Sequence, residues 1–150
     1  MSIIKNKFVH LGFDIHLGHI INGKELTTLL KMMNKEKPDL IVLAGDIVDE
    51  DLAPVIRYNL GEKLKNLKAP LGVYGVTGNH EYIGGADDAV KYLNDHGVTM
   101  LLDKAVLIKN SFYLVGRDDL AKPRFSGKER KPLKELLKDI DTKKPVILID

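Results

Sequence analysis

Three short polar segments contain side chains that commonly bind divalent metal ions. They are Asp14-Ile15-His16, Gly45-Asp46-Ile47-Val48-Asp49 and Gly78-Asn79-His80-Glu81. Carboxylate and amide oxygens mixed with imidazole nitrogens suit Mn, Fe, Zn or Mg rather than a soft metal. Each segment alone is a weak signal, since a single Gly-Asp is common in turns and helix caps. The three together, in this order, predict a metal site.

The local sequence suggests how each segment could hold an ion. In an extended stretch, residues two apart point to the same side, so Asp14 and His16 are expected to face one cation. Gly45 and Gly78 allow sharp turns beside the ions. The two oxygens of Asp46 could bridge two ions, and a pair roughly 3.5–4 Å apart can clamp a phosphate and generate a hydroxide nucleophile.

The surrounding pattern predicts the elements that position these segments. Apolar runs predict strands, and helical spacing of leucine and other apolar residues predicts helices. The predicted strands are Phe8 to Phe13, Leu40 to Ala44, Leu71 to Val76, Val98 to Leu101, Ala105 to Ile108, Phe112 to Val115 and Pro145 to Ile149. The predicted helices are Lys24 to Asn34, Val55 to Leu67, Asp87 to His96 and Pro132 to Ile140.

This alternation of strands and helices predicts an α/β fold with parallel strands, followed by a hairpin that turns at Asn110 and Ser111. Ligands bind at the carboxyl ends of parallel strands in such sheets. Each of the three polar segments directly follows a predicted strand, so the sequence predicts that all three meet at one edge.

The motifs Asp-x-His, Gly-Asp-x-x-Asp and Gly-Asn-His-Glu resemble those of the calcineurin-like metallophosphoesterases. The stretches FDIHLGH, LIVLAGDIVDED and GVYGVTGNHEYIGG resemble the bacterial branch of membrane-associated phosphohydrolases. The resemblance implies a β-sandwich flanked by helices. Of that fold, residues 1–150 are expected to form the N-terminal half to two-thirds, as one metallophosphoesterase domain truncated at its C-terminus.

The resemblance also implies roles for individual residues. Two divalent metal ions are expected as cofactors, with Asp14 and His16 on the first, Asp46 bridging both and Asn79 on the second. His80 would protonate the leaving oxygen or steady the phosphate, and Asp49 would orient its imidazole. The implied reaction is hydrolysis of a phosphate mono- or diester by a metal-bound hydroxide.

Two further ligand motifs of the family, a histidine after the strand near Val146 and a Gly-His-x-His, are absent, and no histidine follows His96. Two octahedral ions need about twelve coordination positions, which the four candidate ligands fill only in part. Two alternatives therefore stay open: a catalytically incomplete metal-binding domain, and a subunit that a C-terminal fragment or second chain completes. A nucleotide-binding domain lacks support because no glycine-rich loop follows the first strand.

Composition and charge limit the kinds of partner that the sequence predicts. The 150 residues include no cysteine, which excludes disulfides and thiol catalysis. Their formal net charge is only +2, and no nucleic-acid patch is evident. The short basic run from Lys128 to Lys131 is interpreted as a solvated loop. Arg117 could contact the substrate phosphate or form a surface ion pair. Without an apolar run that could span a bilayer or act as a signal peptide, the chain is expected to be cytoplasmic, with membrane association possible by family resemblance.

Overall fold

A four-stranded parallel sheet forms the first half of the protein. The computed structural model describes residues 9–12 and 14–150, with only the backbone of His10. The strands β1 (Val9–Gly12), β2 (Leu40–Ala44), β3 (Val73–Val76) and β4 (Thr99–Met100) lie in the order β1-β2-β3-β4. All three strand pairs are parallel, which confirms the predicted arrangement. The predicted ends of the first strand, Phe8 and Phe13, lie outside the described residues.

Helices connect the strands of both sheets. They are α1 (Gly23–Lys35), α2 (Leu52–Arg57), α3 (Leu60–Leu64), α4 (Asn79–Gly84), α5 (Ala86–Asp95), α6 (Lys122–Ser126) and α7 (Leu133–Leu136). In α1 the Asn22 side chain caps the first turn by accepting a hydrogen bond from the Lys24 N–H. The apolar side chains Leu26, Leu30 and Met33 recur at helical spacing and are buried.

A second, three-stranded sheet follows. Strands β5 (Lys104–Ile108) and β6 (Phe112–Gly116) form the predicted antiparallel hairpin, and β7 (Val146–Ile149) pairs with β6 in parallel. Lys109 and Asn110 have φ angles of 46° and 56° in the connecting turn. Two consecutive left-handed residues match the right-handed twist of the flanking strands, which explains the tight connection.

One core lies between the two sheets. The other lies between the first sheet and the helices. Ile41 and Leu43 of β2 pack among the helix side chains, whereas Leu40 and Val42 pack in a cluster with Leu114 of β6. This alternation follows from the period of two in a strand. The protein is therefore an α/β sandwich of a parallel and a mixed sheet flanked by helices, as predicted.

Two helix predictions need correction, and two helices were not predicted. The helix predicted from Val55 to Leu67 is two short helices, because Asn59 adopts a left-handed conformation with φ 51°. The helix predicted from Pro132 to Ile140 is shorter, since α7 ends at Leu136, and neither α4 nor α6 was predicted.

Among the described residues, no helix combines the length and the apolar character needed to cross a membrane.

Candidate metal centre

Asp14, His16 and Asp46 converge at the carboxyl ends of β1 and β2. One side-chain oxygen or nitrogen of each lies within 4.8 Å of the corresponding atom of the others. The two segments are held side by side because the His16 N–H donates to the Asp46 carbonyl over 2.9 Å and the Leu17 N–H donates to the Ile47 carbonyl over 2.9 Å. A mixed carboxylate and imidazole set of this size can hold a divalent ion.

The backbone conformation at this cluster differs from the extended one that the sequence suggested. Asp14, His16 and Asp46 have φ angles of 52°, 49° and 45°. Left-handed conformations cost non-glycine residues free energy and concentrate at functional sites. Ile15, which lies between Asp14 and His16 in the sequence, packs in the core. A left-handed turn therefore brings the side chains of Asp14 and His16 together. The prediction that strand alternation would do so was wrong here.

The third polar segment begins helix α4. Asn79 is the first residue of the helix and lines the same cleft as Asp46. The His80 N–H donates to Asp46 Oδ1 over 2.9 Å, which brings the start of the helix against the second segment. The structure thus places Asn79 and His80 beside the Asp14, His16 and Asp46 cluster.

His80 and Asp49 form an ion pair next to that cluster, with Nδ1 of His80 3.0 Å from Oδ1 of Asp49. Burial lowers the pKa of His80, but the Asp49 hydrogen bond and the charges of Asp46, Asp49 and Glu50 outweigh it, so the net shift is upward. A hydrogen bond from the Glu50 N–H to Asp49 is the largest cause that lowers the pKa of Asp49. Atoms of His16, Asp49 and His80 also lie within 4.8 Å of one another, so His16 is shared between two possible ligand groups.

Glu81 holds the second and third polar segments together through hydrogen bonds from their backbone N–H groups. Its side chain is fully buried, and its oxygens accept from the N–H groups of Asp46 (3.1 Å), Val48 (2.8 Å) and Gly78 (2.7 Å). Burial raises the pKa of Glu81, and the hydrogen bonds from Val48 and Gly78 oppose that rise. Both oxygens are occupied by backbone donors, so Glu81 acts on the loops rather than on an ion.

A buried polar network supports the start of α4, and the sequence analysis did not identify it. Asp118 Oδ1 accepts from Thr77 Oγ1 and from the Tyr82 hydroxyl, each over 2.7 Å. Lys122 Nζ lies 2.9 Å from Asp118 Oδ2 and 3.2 Å from Asp103 Oδ2. Thr77 and Tyr82 flank Gly78 to Glu81, so this network holds both ends of the third segment.

Arg130 was also missed. The basic run from Lys128 to Lys131 was interpreted as a solvated loop, but only 9% of the Arg130 side chain is exposed and it pairs with Asp150. Arg117 forms an ion pair with the same carboxylate over 3.0 Å. A basic residue in a polar loop gives no periodic signal of burial, so the sequence could not distinguish Arg130 from its solvated neighbours.

Comparison with known proteins identifies the family. The model of the calcineurin-like phosphoesterases matches residues 7–150. The chain belongs to this family. The calcineurin-like phosphoesterase chain is 35% identical over 136 residues to an uncharacterized metallophosphoesterase of Aquifex aeolicus, covering 91% of this chain and 51% of the relative.

Two further relatives share the domain within longer proteins. A putative metallophosphoesterase of Caenorhabditis elegans is 34% identical over 119 residues, covering 77% of this chain and 24% of the relative. A transmembrane protein with metallophosphoesterase domain from Bos taurus is 41% identical over 69 residues, covering 46% and 15%. The chain thus spans about half the length of the Aquifex relative and less of the other two.

Proposed function

We propose that this chain carries part of a two-metal centre that hydrolyses a phosphate mono- or diester. The observation that supports it is the convergence of Asp14, His16 and Asp46 within 4.8 Å in a calcineurin-like phosphoesterase chain. Their two carboxylates and one imidazole fit a hard or borderline divalent ion such as Mn, Fe, Zn or Mg. The three strained φ angles are consistent with a functional constraint at this place.

The proposed ligands divide between two ions. Asp14 and His16 would hold the first, Asp46 would bridge, and Asn79 at the start of α4 would contribute to the second. When bound, the two ions would neutralise charge on the phosphate and activate water. Glu81 and the Asp118 network would keep the loops in place for this purpose.

His80 is proposed to donate a proton to the leaving oxygen or to steady the phosphate. Its Nδ1 is paired with Asp49 over 3.0 Å, which leaves Nε2 as the atom free to face substrate. A carboxylate on one ring nitrogen fixes the ring orientation and favours the protonated imidazole. Burial opposes the charged ring, but the Asp49 hydrogen bond and the nearby carboxylates raise the pKa of His80, and a protonated ring is what a proton donor needs.

Calorimetric titration with Mn²⁺ tests the metal centre. The chain should bind the ion, and Asp46→Asn should weaken binding by about 10–100-fold or more, since it removes charge from the bridging ligand. Asp139→Asn alters an exposed carboxylate and is the matched control. Equal affinities for the wild type and Asp46→Asn would contradict the assignment.

Hydrolysis of bis-p-nitrophenyl phosphate with added Mn²⁺ tests the reaction itself. Activity that Asp46→Asn abolishes would support an autonomous enzyme. Metal binding without hydrolysis in the folded chain would favour the alternative of an incomplete centre. That alternative is motivated by the share of the Aquifex relative, 51%, that the chain covers. Restored hydrolysis on adding the remaining part of that relative would then identify a centre completed by a second segment.

A further inference from the structure

A cleft of about 250 Å³ opens at the carboxyl ends of strands from both sheets. Asp46 and Asn79 reach it from the first sheet, and Arg117 and Arg130 reach it after β6. The cleft therefore joins the candidate metal centre to two guanidinium groups. Such a combination can bind a phosphate oxygen at the arginines while the ester lies beside the metal ligands.

The two arginines share a single carboxylate. Nη1 of Arg117 lies 3.0 Å from Oδ2 of Asp150, and Nη2 of Arg130 contacts Oδ1 of the same residue. Within this trio the side chains sum to a formal charge of +1, while Asp46, Asp118 and Asp119 add carboxylates elsewhere in the cleft lining. Only 17% of the Arg117 side chain and 9% of the Arg130 side chain are exposed, so water screens this charge less than it would at the surface.

Both guanidiniums also have donors that the protein does not use. Each carries five N–H groups. The described residues accept three hydrogen bonds from the pair, two at Asp150 and one at the Lys131 carbonyl. Nε of Arg117 and Nε of Arg130 are buried and have no acceptor among the described residues. Buried donors without acceptors are costly, so the protein leaves both guanidiniums incompletely satisfied.

The acidic residues of the cleft, in contrast, are mostly engaged. Asp118 is paired with Lys122 over 2.9 Å. Oδ1 of Asp119 accepts from the Ala121 N–H over 2.7 Å. Asp46, which accepts from the His80 N–H, belongs to the candidate metal centre. The arginine pair is therefore the part of the cleft lining with unused capacity for an anion.

We propose that Arg117 and Arg130 form an anion subsite that receives the substrate phosphate and favours a dianionic phosphomonoester over a monoanionic phosphodiester. The preference follows from charge, because the attraction between the net positive pair and the phosphate grows with the charge of the anion. Arginine matches the planar arrangement of two phosphate oxygens with two parallel N–H groups. The proposal deepens the proposed function and rests on it for the reaction that the bound phosphate undergoes.

Nuclear magnetic resonance of the arginine Nε–H groups tests the subsite without hydrolysis. The metal-free 150-residue chain would be titrated at pH 8 with inorganic phosphate, a dianion, and with dimethyl phosphate, a monoanion. The Arg117 and Arg130 signals should shift and saturate, at a concentration at least tenfold lower for inorganic phosphate. Arg130→Gln and Arg117→Gln should each weaken binding at least tenfold.

Arg124 provides the matched control, since it is exposed and lies near the Phe125 ring rather than in the cleft. Arg124→Gln should leave phosphate binding unchanged. Equal shifts at Arg124, Arg117 and Arg130, or no shift at the last two, would overturn the proposal. If a glutamine variant does not fold, Arg130→Lys keeps the charge and should retain binding weaker than the wild type but tighter than any neutral variant.

Asp150→Asn separates the subsite from a purely structural clamp. Removing the shared carboxylate frees both guanidiniums, so phosphate should bind about tenfold more tightly. Unchanged phosphate affinity together with a lower unfolding midpoint would mean that the pair only anchors β7, and would overturn the proposal. Shifts at the arginines in a chain that binds no Mn²⁺ would contradict only the proposed function. Hydrolysis without arginine shifts would contradict only the subsite.

Discussion

Glu81 shows how single residues hold the candidate metal centre together without contacting an ion. Its buried carboxylate accepts hydrogen bonds from backbone N–H groups of both the second and the third polar segment. Gly78 allows the second and third segments to approach each other because it has no side chain. A Cβ at this position would collide with Asp46 Oδ1. The positions of Asp46 and Asn79 therefore depend on Glu81 and Gly78.

Replacing Glu81 with Gln should destabilise the protein by roughly 1–3 kcal/mol. The amide NH₂ would face backbone N–H donors and leave them unsatisfied. Urea unfolding measures the effect, and Glu62→Gln is the control because Glu62 forms an exposed pair with Lys65. A loss of stability no larger than that of the control would mean that the Glu81 hydrogen bonds contribute little.

Gly78→Ala should displace Asp46 and weaken Mn²⁺ binding, with a stability loss of about 1–3 kcal/mol from overpacking. The control is Gly23→Ala, where a Cβ would meet the flexible end of Lys63 at 3.3 Å, which can move. Calorimetry with Mn²⁺ and thermal unfolding measure the two effects. Unaltered metal affinity in Gly78→Ala would show that the loop accommodates the methyl group.

At the scale of elements, the buried network around Asp118 connects β3, α4 and α6 through side chains. Burial raises the pKa of the Tyr82 hydroxyl, and its hydrogen bond to Asp118 adds to that shift. Burial opposes ionisation of Asp103, but hydrogen bonds from the Lys131 and Asp118 N–H groups and from Lys122 outweigh it and lower its pKa. The hydrogen bonds to Asp103 therefore favour the charged form of that carboxyl group.

Asp103 should make stability depend on pH in the acid range. Because its pKa is lower folded than unfolded, its contribution is complete above the unfolded value of about 3.9 and is lost as pH falls through the folded value. Asp103→Asn should therefore be less stable at pH 7 and lose less stability between about pH 4 and pH 2. Chemical unfolding at several pH values checks this, with Asp139→Asn at an exposed carboxylate as control. Parallel pH profiles for wild type and Asp103→Asn would contradict the assignment.

Regular elements were predictable from apolar spacing, and irregular ones were not. β2 and α1 carry strong periodic patterns, and the predicted bounds of β2 agree with the structure. The break at Asn59 has no such signal, because a single left-handed residue leaves the spacing of leucines intact. Helix α4 was not predicted, because its six residues are too few to show a helical apolar pattern. The residues that meet at the site could be predicted, but the left-handed turns that orient Asp14 and His16 could not.

At the scale of the whole molecule, the core between the sheets joins the half with the candidate metal centre to the half with the hairpin. Leu114 on β6 is fully buried and packs in one cluster with Leu40, Val42 and Val76. The opposite face of the second sheet is more exposed, with Leu107, Val146 and Leu148 each about 40% accessible. The two faces should therefore respond very differently to the loss of a side chain.

Leu114→Ala should cost about 2–5 kcal/mol, because it removes a buried side chain and leaves a cavity. Leu107→Ala, on the same sheet but 41% exposed, should cost clearly less and serves as the control. Circular dichroism during urea unfolding measures both. Equal losses in the two variants would mean that the exposed face carries as much packing as the core.

The sequential order of the first sheet has a consequence for synthesis on the ribosome. Asp14, His16, Asp46, Asn79, His80 and Glu81 all emerge before β6, whose end at Gly116 follows Glu81 by 35 residues (116 − 81). At translation rates of 5–20 residues per second, that interval lasts about 2–7 s. During this time the nascent chain holds every proposed metal ligand, while the side of β2 that β6 will cover is bare. Early capture of an ion could then order the loops, whereas Leu40 and Val42 would be open to a chaperone until the hairpin arrives.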